Sequence, residues 1–197
     1  MKRVFCATLG CDKNLVDSEA MLGVFAAKGI RPVNDPDEAD IWVLNSCGFI
    51  DAARADSEET LRSLADSKED RTLVVCGCWS QEHGEDIQTR FPEVDIVAGV
   101  GQFDKVVAAC LGLENEAAGP ASPGEPAFAM AGPPIVEDPM AVNYTGLIGR
   151  PLLTPGHGAF VKIGEGCTCS CSFWRIPVIR GKLRSRAVEE IVREVRG

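Results

Sequence analysis

The stretch that decides the fold is the apolar run Ile41-Trp42-Val43-Leu44, which leads directly into Asn45-Ser46-Cys47-Gly48. A short apolar run between an acidic turn and a glycine is typical of a strand that is buried on both faces. The same layout occurs twice more, in residues 2–9 before Gly10-Cys11 and in residues 72–76 before Gly77-Cys78. Helical segments alternate with these strands. The alternation predicts an α/β fold, a parallel sheet flanked by helices.

The remaining elements of this first unit follow from caps and apolar periodicity. Asn14 is predicted to cap the first helix, which Gly29 ends. Further elements are expected as helices over residues 52–64, 81–90 and 103–111 and as short strands over residues 30–33 and 95–98. Together they predict a first domain that covers residues 1–111.

Three cysteines, Cys11, Cys47 and Cys78, each follow the end of a predicted strand by one to three residues. Because parallel strands end at the same edge of a sheet, these thiols can converge there. Three thiolates at one edge suit an iron–sulfur cluster with one iron left open. The alternative is three unrelated loop cysteines. Cysteines inside the predicted strands and on the last helix are interpreted as small buried apolar residues: Cys6, Cys76 and Cys110.

A second cysteine-rich stretch is Gly166-Cys167-Thr168-Cys169-Ser170-Cys171-Ser172-Phe173-Trp174. The apolar residues 159–163 predict a strand before it, so its cysteines are expected in the loop that leaves that strand. Zinc ligation by these cysteines is an alternative, although the C-x2-C spacing of zinc knuckles is absent. Residues 175–186 contain five Lys or Arg. The basic residues from Arg180 to Arg186 are interpreted either as an edge that contacts a phosphate or a partner, or as a solvated loop.

Residues 112–150 are predicted to form a linker or a loose insertion between the two parts. Residues 114–134 are rich in Ala, Gly, Pro and Glu, and their prolines interrupt any helix. A second domain is expected to begin at residue 151. It includes a helix over residues 187–195 with an apolar face formed by Val188, Ile191, Val192 and Val195.

Composition limits the class of protein and its partners. The chain has 197 residues, 45% of them hydrophobic, without an apolar run long enough to cross a membrane. A signal-peptide layout is missing, which predicts a cytoplasmic location, where nine cysteines favour metal or redox chemistry over disulfides. The net charge is −9, although residues 162–197 contain eight Lys or Arg against four Glu. An acidic body opposes binding to DNA or bulk nucleic acid and favours a basic partner.

The sequences around the cysteines resemble the methylthiotransferase family of radical S-adenosylmethionine enzymes. The resemblance rests on Gly10-Cys11-Asp12-Lys13-Asn14, Asn45-Ser46-Cys47-Gly48, Gly77-Cys78-Trp79-Ser80 and the stretch from Lys162 to Arg186. It implies that Cys11, Cys47 and Cys78 hold an auxiliary [4Fe–4S] cluster. It also implies that residues 151–197 are the start of a radical-SAM (β/α) barrel, of which only the first β–α unit is present. The chain is thus identified as an N-terminal fragment of such an enzyme.

The second cluster motif of the family, C-x3-C-x2-C, is matched only in part. Cys167 and Cys171 stand at its first two positions. The resemblance implies that they bind a second [4Fe–4S] cluster together with S-adenosylmethionine. The third position holds Trp174, which cannot ligate iron, and Cys169 is the only neighbouring thiol that could replace it. We therefore expect this chain to be inactive in cleaving S-adenosylmethionine.

Details of the resemblance indicate a substrate. Residues 13–19, residues 49–51 and Leu152-Leu153-Thr154-Pro155 resemble the RimO-type branch. Its members methylthiolate the β-carbon of an aspartate in a small-subunit ribosomal protein. The resemblance also implies an electron donor such as flavodoxin or ferredoxin. Two alternatives stay open: a tRNA methylthiotransferase of the MiaB type, and a non-catalytic module whose iron–sulfur cluster is structural or redox-active.

Overall fold

The computed structural model describes residues 1–112, 132–142, 147–169 and 171–196. Residues 1–112 form a sheet that is covered by helices on both faces. Its elements are β1 (Arg3–Thr8), α1 (Asp12–Ala27), β2 (Arg31–Pro32), β3 (Ile41–Ser46), α2 (Asp51–Asp66), β4 (Thr72–Gly77), α3 (Cys78–Arg90), β5 (Ile96–Val97) and α4 (Phe103–Leu111). The predicted α/β class, a parallel sheet flanked by helices, is confirmed.

The strands are parallel and lie in the order β2-β1-β3-β4-β5. Every residue of β3 is buried, because β3 lies in the centre of the sheet and helices cover both faces. Successive side chains point to opposite faces. Val43 therefore packs with residues of α1 and α4, whereas Trp42 and Leu44 pack with residues of α2 and α3. This arrangement explains why the run is uniformly apolar instead of alternating.

Two helix starts differ from those predicted. α1 begins at Asp12, and Asn14 lies inside its first turn, where its side-chain amide donates to the carbonyls of Leu9 and Ser46. α3 begins at Cys78, immediately after β4 ends at Gly77. Gly77 has a φ of 101°, a conformation that other residues rarely adopt, and it lets the chain pass from strand to helix without a loop.

The described residues of the later part contain short elements only: β6 (Gly164–Glu165), α5 (Ile176–Ile179), β7 (Arg184–Ser185) and α6 (Val188–Arg196). The strand predicted over residues 159–163 is not formed. A strand needs a neighbouring backbone, and among the residues that the structure describes β6 and β7 pair only with each other. The predicted helix over residues 187–195 is present as α6, whereas α5 was not predicted. Within the described ranges, every helix is too short or too polar to span a membrane.

Residues 132–142 fall within the predicted linker and lie against the first unit. Ile135 pairs with Ala98, next to β5, and its N–H donates to the Val97 carbonyl at 2.8 Å. The Gln81 side chain donates to the Glu137 carbonyl at 2.9 Å. Residues 113–131 and 143–146 of the predicted linker lie outside the described residues.

A buried group of ion pairs joins the later part of the chain to α1. Glu19, which is fully buried, accepts from Arg150 at 2.9 Å and from the Leu153 N–H at 2.8 Å. Arg150 also pairs with Glu194 of α6, which accepts from Arg186 at 2.5 Å. Two carboxylates and two guanidinium groups therefore balance each other inside the protein. We call these four residues the Glu19 cluster.

Candidate functional site

Cys11, Cys47 and Cys78 lie at one edge of the sheet, because the strands that precede them are adjacent in the order β1-β3-β4. All three line the same cavity, which has a volume of about 640 Å³. The cysteines interpreted as core residues lie elsewhere: Cys76 and Cys110 are buried on the face covered by α1 and α4, and Cys6 packs against them. The structure thus brings the three candidate ligands together and keeps the other three apart from them.

Backbone geometry gives these cysteines their positions. Gly10 has a φ of 95°, and a Cβ atom there would stand 2.7 Å from both Cβ and Sγ of Cys47. Only glycine therefore lets the loop after β1 approach the end of β3 so closely. Cys11 is the N-cap of α1, and Cys78 is the first residue of α3. The helix dipole at both places favours the negative charge of a metal-bound thiolate.

Cys78 has polar neighbours although it is buried. Arg180 donates from Nη2 to its Sγ at 3.4 Å, and the Cys78 thiol donates to Oδ1 of Asn14 at 3.5 Å. Burial raises the pKa of the Cys78 thiol to about 11, while the charge and hydrogen bond of Arg180 oppose that rise. A cysteine that binds a metal must lose this proton, so Arg180 and a bound metal would both favour the thiolate form of Cys78.

Arg180 belongs to a second buried group of charges, which we call the Asp17 cluster: Asp17, Lys162, Glu165 and Arg180. Arg180 donates from Nη1 to Asp17 and to Glu165, both at 2.9 Å. Lys162 pairs with Asp17 and, at 2.8 Å, with Glu165. All four side chains are at most 5% exposed. The cluster connects α1 directly to the two ends of the stretch around Cys167.

Part of the cavity lining is apolar. Phe49, Ile50 and Ala53 contribute from the loop after β3 and from α2, and Ile176 contributes from α5. Trp174 also lines the cavity and packs edge-on against Phe49, with ring centroids 5.1 Å apart. Such a shell limits the access of water to a metal site and tunes its chemistry.

The second cysteine stretch lies beside this cavity. Cys167 and Trp174 line the first cavity and also a second one, of about 540 Å³, which Cys169 and Cys171 line as well. The Cys169 N–H donates to Sγ of Cys167 at 3.4 Å and lowers the pKa of the Cys167 thiol. A separate hydrogen bond between the two side chains raises the pKa of the Cys169 thiol. Cys167 is therefore the more acidic thiol of this pair.

The donor set fits one iron–sulfur cluster and does not fit the second. Cys11, Cys47 and Cys78 supply three thiolates, with the Arg180 cation beside one of them. Among the described residues, no three His, Cys, Asp or Glu side chains could share a single metal ion. The second motif offers Cys167 and Cys171, but Trp174 has no atom that ligates iron.

Sequence reasoning missed the Asp17 cluster. The basic residues from Arg180 onward were interpreted as a contact edge or a solvated loop, yet Arg180 is 1% exposed and binds carboxylates of its own chain. On α1, Asn14, Asp17 and Ser18 are three and four residues apart and share one helix face. A polar face on an amphipathic helix usually faces solvent, so the sequence alone does not indicate that these three side chains are buried.

The first unit is thus a parallel α/β sheet with three cysteines at the ends of adjacent strands. Residues 3–99 match the family described as "Uncharacterized protein family UPF0004". The chain is 38% identical over 190 residues to the ribosomal protein uS12 methylthiotransferase RimO of Solibacter usitatus, covering 95% of this chain and 37% of that protein. It is 40% identical over 195 residues to the protein of the same name from Anaeromyxobacter sp., with coverages of 98% and 38%.

A third relative with this name, from Sulfurovum sp., is 39% identical over 196 residues, which are 99% of this chain and 40% of that protein. The chain belongs to the methylthiotransferase family and is of the RimO type. It spans about two fifths of the length of these curated relatives.

Proposed function

We propose that this chain is the N-terminal part of a radical S-adenosylmethionine methylthiotransferase that acts on an aspartate of ribosomal protein uS12. Cys11, Cys47 and Cys78 hold its auxiliary [4Fe–4S] cluster. The observation that carries the proposal is the placement of these three thiols on the wall of one cavity, at the ends of three adjacent strands. The names of the RimO relatives support the reaction and the substrate.

The proposal divides the chain into three parts. Residues 1–111 form the domain of the auxiliary cluster, which contains the segment matched by the family. Residues 112–150 form the connection, and residues 151–197 form the start of the radical-SAM domain. The protein acts in the cytoplasm, where reduced flavodoxin or ferredoxin supplies its electrons.

The residues of this chain bind and shield the auxiliary cluster. When bound, the cluster supplies the sulfur that is methylated and inserted into the substrate. Cys11, Cys47 and Cys78 would supply three thiolate ligands, so a bound [4Fe–4S] cluster would have one iron without a cysteine ligand. Phe49, Ile50 and Ala53 contribute apolar surface to the cavity wall. Arg180 and Lys13, which also line the cavity, bring positive charge to an anionic cluster.

The chain as it stands is expected to form no 5′-deoxyadenosine from S-adenosylmethionine in the presence of dithionite. The reason is that Trp174 occupies the position of the third iron ligand in the motif that begins at Cys167. The measurement is chromatography with mass detection of the nucleoside after anaerobic reconstitution. The RimO protein of Anaeromyxobacter sp., treated in the same way, serves as the positive control. Nucleoside above the level of a protein-free sample would contradict this expectation.

Trp174 also favours a second candidate function. A chain that binds the auxiliary cluster and lacks the third ligand of the other one could serve as a non-catalytic iron–sulfur module. Its cluster would then be structural or would transfer electrons. The packing of Trp174 against Phe49 and Phe173 supports this alternative, because the indole fills the site with an aromatic contact instead of a ligand.

Restoring the missing parts separates the two functions and identifies the substrate. The experiment combines Trp174→Cys with the remaining part of the RimO protein of Anaeromyxobacter sp. Mass spectrometry then measures methylthio transfer to ribosomal protein uS12 and to tRNA. We expect modification of uS12 alone, because the acidic first part repels phosphates and attracts a basic protein.

The matched control for this chimaera carries Cys47→Ala in addition and should transfer nothing. A modified tRNA beside untouched uS12 would replace the proposed substrate with the MiaB-type one. An iron-loaded chimaera that modifies neither would support the non-catalytic module.

A further inference from the structure

Arg180 is a residue of the later part of the chain that reaches the cysteine site of the first part. It directly follows α5, and its side chain is one of the largest that are fully buried. Its Nη2 donates to Oδ1 of Asn14 at 2.6 Å and to Sγ of Cys78 at 3.4 Å. The guanidinium group therefore contacts a candidate iron ligand and the residue that accepts from the same thiol.

The direction of these two hydrogen bonds is fixed by the partners of the other terminal nitrogen of Arg180. Nη1 of the same guanidinium group donates to Asp17 and to Glu165 at 2.9 Å. Lys162 neutralises both carboxylates from another side. Because the guanidinium is planar and its N–H groups have fixed directions, holding Nη1 also sets the direction of Nη2. The Asp17 cluster thus aims a positive hydrogen-bond donor at Cys78.

A metal-bound cysteine interacts differently with these two neighbours. Once Cys78 binds iron, its sulfur is a thiolate that only accepts hydrogen bonds. The hydrogen bond from the Cys78 thiol to Asn14 Oδ1 is then lost, whereas Asn14 Oδ1 still accepts from Arg180. The contact from Arg180 remains and gains a full opposite charge. One-electron reduction adds negative charge to the cluster and its sulfurs, so a cation and an N–H···S bond stabilise the reduced form more than the oxidised form.

We infer that Arg180 is a positioning residue of the auxiliary cluster: it holds the Cys78 sulfur and raises the reduction potential of the cluster. The inference rests on the proposed function, because it assumes a cluster at Cys11, Cys47 and Cys78. It also makes the environment of that cluster depend on both parts of the chain, since the first part alone lacks Arg180.

The test uses the whole chain and a variant that keeps the buried charges balanced. Removing Arg180 alone would take away one of the cations that balance the buried carboxylates of Asp17 and Glu165. The double variant Arg180→Met with Glu165→Gln leaves one acid, Asp17, opposite one base, Lys162. Glu165→Gln alone is the matched control, because it retains Arg180 and its bond to Asp17. Arg175→Met is the second control, since it removes an exposed cation that pairs with Glu82.

Each protein is reconstituted anaerobically, its iron and sulfide are counted, and its cluster is titrated with dithionite under EPR detection. We expect the double variant to keep its iron and to show an approximately tenfold lower ratio of reduced to oxidised cluster at a fixed potential. This change is about 59 mV for one electron. Arg175→Met should match the unaltered chain. Glu165→Gln should not lower the potential, because Arg180 is retained and a nearby negative charge is removed.

An unchanged potential in an iron-loaded double variant would overturn the inference and leave the proposed function standing. A shift of the same size in Arg175→Met would also overturn it, because the effect would then come from overall charge. A wild-type chain that binds no iron and sulfide would overturn the proposed function itself. Loss of iron from the double variant alone, with an unchanged circular dichroism spectrum, would contradict the expected retention of iron and would overturn the inference that Arg180 acts on the potential of a bound cluster.

Discussion

Replacing Cys47 with alanine is expected to abolish iron–sulfur binding by this chain. β3 lies between β1 and β4, so Cys47 is the middle one of the three candidate ligands. Its side chain is 6% exposed, and Gly10 closes over it, which leaves no room for a replacement ligand. Two remaining thiolates cannot hold a cluster that needs three. Iron and acid-labile sulfide, together with the brown absorbance band, should fall to the level of a protein-free reconstitution.

The controls for this variant are Cys6→Ala and Cys110→Ala. Each removes one thiol at a position that packs in the core between the sheet, α1 and α4, away from the cavity. Both variants should keep the iron and sulfide of the unaltered chain, although each loses some packing. Equal loss of iron in all three variants would show that the cluster, if one forms, does not use the strand-end cysteines.

Replacing Glu19 with alanine is expected to lower the free energy of unfolding by about 3–5 kcal/mol, the usual cost of breaking a buried ion pair. Glu19 accepts from the Arg150 guanidinium and from the Leu153 N–H, and both carboxylate oxygens are used. Its loss leaves one excess positive charge inside the Glu19 cluster and an unsatisfied backbone N–H. Urea unfolding followed by circular dichroism measures the change.

Two controls show whether burial causes this loss. Arg54→Ala breaks an exposed pair with Asp51 and should cost about 0–1 kcal/mol. The double variant Glu19→Gln with Arg150→Met removes one charge of each sign and should be less damaging than Glu19→Ala. If Glu19→Ala and Arg54→Ala had the same small effect, the Glu19 cluster would not stabilise the protein.

The sheet and the cysteine edge were predictable because each depends on local patterns. The run from Ile41 to Leu44 is apolar since β3 is covered on both faces, and the sequence alone carries that signal. α4 has the predicted bounds because Gly112 ends it in the left-handed conformation. The position of Cys78 was predicted, but its place at the start of α3 required the φ of Gly77.

The contacts between the two parts of the chain were not predictable in this way. Asp17 and Glu19 have partners more than a hundred residues away, and no local pattern selects one distant arginine over another. The apolar composition of residues 159–163 favoured a strand. Lys162 from that run instead pairs with Asp17, because burying its charge requires a nearby carboxylate.

The Asp17 cluster also sets an order of events during synthesis. Asp17 and Arg180 are 163 residues apart in sequence. At about 5–20 residues per second, a ribosome needs roughly 8–30 seconds to travel that distance. During this interval the sheet can form, but the carboxylate of Asp17 stays in water and Cys78 lacks its cationic neighbour. The cysteine site is therefore completed only after Arg180 has left the ribosome and α1 has acquired its distant partners.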